Sequence, residues 1–508
     1  MICAENSFTV ALTFALYLIG LLGVGFWASK RSSKDMDAYF LGSRQLGSFV
    51  VALSAVVSGR SSWLILGVSG AAFLKGLSAV WVLPGYILAE LFMFVFVAPR
   101  IRRYTERRDC ITLPDYFEVR FHDKDRYLRV ISVVMILLFF TAYIGAQLTA
   151  GTKTFQAAFG LSPFDGTALI TVIIAIYTVT GGFLAVSIND AIQACLMLVG
   201  LVVMPLVGIS KLGGLTPLVE KLASTTPDAS LLAAGAGLAI VKGLAIGTGS
   251  FGQPHIIARY MSIADANQLR VSALVGTVWN VLMGWGAIWV GLVGRALYGT
   301  VSVLPLQDKE TLFIKLAADT FPPVIVGLLI AAVVAAILST VDSQLLVAAS
   351  GAARDIYNKL TKNGENATAK ELVWASRFFV LAILFAAFLV GIYAKQTENA
   401  AFKDVFSFVL QAWYGLGCAF GPVVLLSLFW RRCNRNGALA CMLFGPAAVF
   451  LGLLTKGYAT FLGAHTAAWL RPEIVGFFGG GLLIVLFGYL KPINEEVAQE
   501  LDYMNATK

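Results

Sequence analysis

The chain has 508 residues, 58% of them hydrophobic and only 13% charged, where soluble domains carry about 25%; it reads as an all-α polytopic membrane protein. Its net charge of +9 is spread over particular loops rather than one patch, which argues against a nucleic-acid partner. Six cysteines without metal-ligand spacing, and three scattered histidines (His122, His255, His465), two of them in expected loops, suggest neither a zinc site nor a disulfide framework.

Apolar stretches of about 20 residues, the length a bilayer requires, recur about thirteen times. They centre near Leu18, Gly59, Leu88, Phe139, Ile174, Val199, Ile246, Trp285, Ala332, Ile383, Gly415, Ala447 and Gly481. The first, Phe8 to Ala28, is long for a signal-peptide core and has no basic residues before it, so it reads as a retained span. Basic residues gather in alternate loops: Lys30, Arg31, Lys34 and Arg44; the run from Arg100 to Arg129; His255, Arg259 and Arg270; Arg354, Lys359 and Lys362; Arg431, Arg432 and Arg435. By the positive-inside bias these loops are cytoplasmic, which puts the N-terminus outside and the tail, with Glu495, Glu496, Glu500 and Asp502, inside a bacterial-type inner membrane. The opposite face carries fewer, among them Lys75, Lys153, Lys211 and Lys221. No soluble domain and no GxxxxGK[ST] phosphate loop occurs, so ATP is not expected, and uphill transport would draw on an ion gradient.

Two spans break the apolar rule. Ser54–Trp63 sets four serines, a glycine and an arginine between lipid-compatible flanks, and Gly243–Pro254 sets four glycines and a proline in a dozen residues. Backbone unwinds at membrane depth only where protein or a water-lined cavity satisfies it. Broken helices in corresponding positions, spans 2 and 7, point to a five-plus-five inverted-repeat transporter. The expected organisation is a peripheral first helix and loop (1–45), a first repeat (46–210), a second repeat (231–432) and peripheral helices with the tail (436–508). Glycine by itself is a weak signal, since many of the 49 glycines serve helix packing.

Specific motifs sharpen this. Ala52-Leu53-Ser54-Ala55 with Ser61 and Trp63, Thr112 to Phe117, Gly181 to Ser187, Phe251 to His255, Leu338 to Leu346 and Ala419 to Leu425 resemble the sodium:solute symporter family, most of all its sodium/proline branch, from about Tyr17 to Gly445. The resemblance implies a LeuT-type core with discontinuous helices 2 and 7, sodium as coupling ion, and alternating access around a midplane site. It implies sodium ligands at the carbonyls of Val57, Arg60 and Ala336 and the hydroxyls of Ser339 and Thr340. The bland reading of such hydroxyls is a bond back to their own helix. Asp190 matches a family aspartate on the cytoplasmic sodium path. For the solute, a small amino acid or carboxylate such as proline, it implies Trp63 and Tyr143 as walls, Ser58, Ser61, Gln147, Thr248 and Gln253 as polar contacts, and Pro254 as the kink.

Departures from the branch carry as much information. Gly59 and Arg60 stand where it has an aspartate and a methionine, and Ile246 and Ser250 where it has a tryptophan and a tyrosine. An arginine at helix centre costs about 2.5–3.5 kcal/mol on insertion scales, so it requires water or a partner. The sequence leaves three arrangements: Arg60 pairs with Asp342, it snorkels toward the cytoplasmic vestibule, or its guanidinium takes the cation's place, leaving transport sodium-independent or proton-coupled. Glu90 and Lys242 are further intramembrane charges, either a relay or a structural pair, with Lys242 also placed to sit at the outer interface. The rival class is a solute sensor on the same fold. A passive channel and an enzyme fit less well, since no catalytic constellation stands out, and no obligatory protein partner is evident.

Overall fold

Where no water reaches the peptide groups, the helix is the local solution that satisfies them all, and every long apolar run among the described residues folds as one. The computed structural model describes residues 7–32, 40–225, 236–361, 367–396, 402, 404–455 and 470–505. Lys34, Lys362 and the expected repeat boundary at 231 lie outside the described residues. In order the helices are α1 Ser7–Ser32, α2 Ser48–Gly59, α3 Ser69–Lys75, α4 Val82–Phe92, α5 Ala98–Arg107, α6 Leu113–Arg120, α7 Tyr127–Phe159, α8 Pro163–Thr180, α9 Phe183–Lys211 and α10 Leu215–Thr225. There follow α11 Ala236–Ser250, α12 Pro254–Ser262, α13 Leu269–Tyr298, α14 Leu312–Thr320, α15 Pro323–Ser350, α16 Ala369–Gln396, α17 Val405–Phe429, α18 Arg435–Leu454, α19 Pro472–Leu490 and α20 Glu495–Asn505.

Helix is present at each of the thirteen expected centres, yet only ten described segments are long and apolar enough to cross a membrane by length and composition. The difference has three sources. Trp63–Arg107 runs as one apolar segment across two expected spans, α8 falls short in length, and the span around Ile246 is divided between α11 and α12. Phe8, Leu138, Phe385 and Leu486 are exposed on the outside of the bundle, as a lipid-facing surface requires.

α2 packs on α12 and α13, α11 packs on α4, and α13 also packs on α3. Against this group lie α9, α15 and α17, with α7 and α16 packed on α15 and on each other, while α1 rests on α15 and α9, and α18 and α19 rest on α17. A π-helical stretch, Trp63–Val68, joins the break after α2 to α3, and Gly76 in a left-handed conformation (φ 61°) ends α3.

The second break is narrower than the sequence suggested. α11 stays helical to Ser250, and the glycines expected to unwind it serve close packing instead. A Cβ at Gly247 would lie 2.3 Å from the Gly85 carbonyl oxygen, and one at Gly249 would lie 1.9 Å from the indole of Trp413. Only Phe251 to Gln253 leave the helix, and Pro254, whose missing N–H is harmless in a first turn, restarts it. His255 and Arg259, expected in a loop, belong to this second half-helix and are fully buried. The acidic tail is ordered as α20, held where Glu500 accepts from Tyr104 at 2.9 Å and from Arg108 at 2.6 Å.

Candidate cation and solute site

Between Gly59 and Trp63 the backbone of α2 turns out of the helix, with Arg60 at φ −117°, ψ 59°. The Ser58 carbonyl faces side chains of other helices. Ser58 O accepts from Thr340 Oγ1 at 3.0 Å and lies 3.2 Å from His255 Nε2. On α15, Ser339 Oγ donates to Ala336 O at 3.2 Å, and Thr340 Oγ1 also reaches Ala336 O at 3.4 Å. Ala336, Ser339 and Thr340 thus share one turn, with Thr340 bridging to the break. The Val57 carbonyl accepts the N–H of Arg60 at 3.0 Å, which leaves it a second lone pair. These hydroxyl and carbonyl oxygens make a donor set suited to a small hard cation.

The Arg60 side chain departs from each of the three arrangements left by the sequence. It does not pair with Asp342. It turns to the opposite side, between α4 and α13, and forms a buried ion pair with Glu90. Its Nε donates to Asn280 Oδ1 at 2.9 Å, Nη1 donates to the Gly59 carbonyl at 2.9 Å, and Asn280 Nδ2 donates to Glu90 Oε2 at 2.6 Å. The guanidinium lies 3.8 Å over the Tyr86 ring and 5.8 Å from that of Trp63. It neither snorkels nor stands among the oxygens of Ala336, Ser339 and Thr340. Glu90 has a partner, and that partner is Arg60 rather than Lys242. A Cβ at Gly59 would meet Glu90 Oε1 at 3.3 Å. The carboxylate missing from position 59 is therefore supplied, in space, by α4.

A second buried ion pair joins the α12 half-helix to α9. Arg259 Nη2 lies 3.1 Å from Asp190 Oδ2 and also donates to Ser343 Oγ, while Arg259 Nε donates to Ser54 Oγ at 3.0 Å. Ser54 and Ser58 donate to Asp190 at 2.6 and 3.3 Å, so the Ser58 hydroxyl belongs to this cluster rather than to the solute residues. Asp342 accepts from the N–H of Ser343 at 2.6 Å; it stands beside Asp190, not beside Arg60.

Of the expected solute residues, Ser61, Trp63, Tyr143 and Gln147 converge, joined by Ser62. Ser61 Oγ and Tyr143 OH share a hydrogen bond at 3.3 Å; Gln147 Nε2 donates to Ser61 Oγ at 3.0 Å; Ser62 Oγ donates to Gln147 Oε1 at 2.8 Å. Trp63 Nε1 donates back to the Gly59 carbonyl at 3.1 Å. The α11 half is tied in by a residue the sequence did not single out, Trp413 of α17. Its Nε1 donates to Ile246 O at 3.1 Å, its carbonyl accepts from Gln253 Nε2 at 3.0 Å, and its ring centroid lies 6.5 Å from that of Tyr143. Ser250 is buried, and its hydroxyl has no hydrogen-bond partner among the described residues. Thr248 bonds back to Ala245 at 2.7 Å, and Pro254 faces a separate small cleft against Leu113 and Val347. Neither joins the Ser61 group. Above Ile246 and Tyr414 opens a cavity of about 450 Å³, reaching the end of α3 and the start of α17.

Long apolar helices, two of them interrupted and packed together around oxygen-lined breaks, define a LeuT-type membrane transporter. A likeness in fold extends over nearly the whole chain to a Na⁺-coupled sialic acid symporter, with TM-score 0.77 at 18% identity, covering 96% of this chain and 98% of that one. It extends also to Mhp1, a nucleobase-cation-symport-1 transporter, with TM-score 0.56 at 11% identity, covering 92% and 98%. The chain belongs to the sodium:solute symporter family, whose family model matches residues 39–445. Among its relatives, the osmoregulated proline transporter OpuE of Bacillus subtilis is 37% identical over 461 residues, covering 90% of this chain and 91% of that protein. The sodium/proline symporter of Escherichia coli is 38% identical over 490 residues, covering 95% and 93%.

Proposed function

We propose that the chain is a sodium-driven symporter that imports a small amino acid or carboxylate, with proline the first solute to test. The observation that carries this reading is the hydroxyl of Thr340 held 3.0 Å from the Ser58 carbonyl. It joins the broken α2 to the Ala336–Thr340 turn at the place where a cation would be gripped by both. The names of the relatives, proline transporter and sodium/proline symporter, support the coupling ion and the solute.

In this reading sodium enters from the side opposite the arginine-rich loops. It draws oxygens of Val57, Arg60, Ala336, Ser339 and Thr340 around itself. The solute then binds against Ser61, Trp63, Tyr143, Gln147 and the end of α11. The group α2–α4–α11–α12–α13 rocks against α7, α9 and α15, and both cargoes leave toward the cytoplasm past Asp190. Each group draws helices from both expected repeats, 46–210 and 231–432, with the N-terminus outside. Coupling is thermodynamic: each cargo favours the same state. Arg60 supports sodium use rather than replacement, because its charge is neutralised by Glu90 on the far side of the break.

Uptake of labelled proline into proteoliposomes tests the proposal, with an inward sodium gradient and then with choline. Accumulation above equilibrium in sodium alone is expected. Equal accumulation in choline would refute sodium coupling.

A further inference from the structure

The 450 Å³ cavity above Ile246 has a charge imbalance that the transport reading does not require. Lys75, Lys242, Lys309 and Arg471 line it, with Asp404 as the acidic lining residue. Asp404 is already engaged in capping α17, where it accepts from the Ser407 N–H at 2.9 Å and hydroxyl at 3.0 Å, and Arg471 is paired with Glu473. Lys75, Lys242 and Lys309 have no ion-pair partner among the described residues. Neighbouring lysines at the same end of the molecule are compensated. Lys153 holds Asp308 and Glu310 at 2.6 Å each, and Lys315 holds Asp319 at 2.8 Å.

Lys242, Lys309 and Arg471 lie close enough to Lys75 to repel it, and Asp404 offsets them only in part. The excess of basic over acidic side chains around one void is unfavourable for the fold, and low-dielectric walls focus its field into the cavity and raise the local concentration of anions. This face is also the one that the positive-inside bias leaves poor in basic residues. The floor of the cavity adjoins the transport site across Trp413: Ile246 lines the cavity, and the Ile246 carbonyl holds Trp413, which reaches toward Gly59 and Tyr143.

We propose that this cavity is an antechamber that recruits solutes of net negative charge, so that among the amino acids and carboxylates admitted above the chain prefers anionic carboxylates to zwitterions. The inference rests on the sodium-symport reading and adds a charge class to it. Lys75, Lys242 and Lys309 would meet the carboxylate first, before it passes Trp413.

The test compares L-proline with its amine-free isostere, tetrahydrofuran-2-carboxylate, which has the same ring size and one more net negative charge. Sodium-driven uptake of each into proteoliposomes is measured at low and at physiological ionic strength. We expect a lower KM for the isostere and a preference that shrinks as salt is raised. In K75Q/K242Q/K309Q the ratio of the two KM values should move about tenfold toward proline, and K75R/K242R/K309R should restore it, which separates charge from folding. A ratio unchanged in the glutamine variant, while either compound still enters on the sodium gradient, overturns the antechamber alone. Absence of sodium-driven uptake of both compounds overturns the symport reading, and the antechamber with it.

Discussion

The Arg60–Glu90 pair makes a quantitative prediction. Arg60→Met removes the ion pair together with the donors to Asn280 and to the Gly59 carbonyl. Glu90 is left inside the protein with only the Asn280 amide, at 2.6 Å. Breaking one side of a buried pair costs about 3–5 kcal/mol, because the survivor remains charged and unpaired. Glu90→Gln strands the guanidinium and should cost a similar amount. The double variant Arg60→Met/Glu90→Gln leaves no charge to strand, so its loss should fall short of the sum of the single losses by about 2–3 kcal/mol, within the range of coupling measured for contacting residues. Thermal unfolding of the purified transporter in detergent gives the four corners of the cycle. Sodium-driven uptake by the double variant should keep a half-saturating sodium concentration within about threefold of the native one, since the guanidinium lies away from the α15 oxygens. Additive single losses would refute the pairing. A double variant that gains a sodium dependence absent from the native chain would refute the placement of the charge.

Thr340→Val removes the hydroxyl that reaches Ser58 O; the sodium concentration for half-maximal uptake should rise about tenfold, the equivalent of about 1.4 kcal/mol, and Thr340→Ser should recover most of it. A half-maximal sodium concentration unchanged in Thr340→Val would remove this residue from the site. Burial pushes the thiols of Cys110 and Cys433 up to about 12, and only the thiolate is an effective nucleophile. Both should stay unmodified by iodoacetamide at neutral pH in the native protein and react once it is unfolded, with peptide mass mapping as the readout.

The break in α2 was legible because serines, a glycine and an arginine cannot lie idle in an apolar run. The break in span 7 was placed too broadly, since a glycine that unwinds a helix and one that lets another helix approach look the same in sequence. At Gly247 the approach of Gly85 decides it, at 2.3 Å from a Cβ. Of the three arrangements the sequence allows Arg60, pairing with Asp342 rests on nearness to Thr340 along the chain. Which face of α2 receives Glu90 depends on how α4 lies against it, and no local pattern records that. His255 and Arg259 looked like loop residues because a short half-helix carrying two buried polar groups after a proline has little hydropathy to declare it. Trp413 is one of ten tryptophans, and its type alone says nothing. The missing side chains at Gly59 and Gly249, and the smaller Ile246, were the available sign that another helix fills the space.

The two buried ion pairs have different mechanical positions, and this gives them different signatures. Arg60 lies in the break that ends α2, and Glu90 and Asn280 on α4 and α13, all within the group proposed to move as a unit, so this pair persists through the proposed cycle and its loss should register as instability. Arg259 stands on α12, within the same group, but its partners Asp190 and Ser343 lie on α9 and α15, in the group it moves against. In the proposed cycle that contact parts each time the cytoplasmic side opens. Arg259→Gln retains a donor to Ser343 while giving up the charge toward Asp190, so it weakens the closed state relative to the open one. The expected result is a modest fall in melting temperature together with a large rise in cysteine-reagent access to a reporter at Ser350, measured with and without sodium. Equal access in Arg259→Gln and the native chain, with uptake unimpaired, would mean that the contact does not gate the path and that Asp190 serves only the packing of α9.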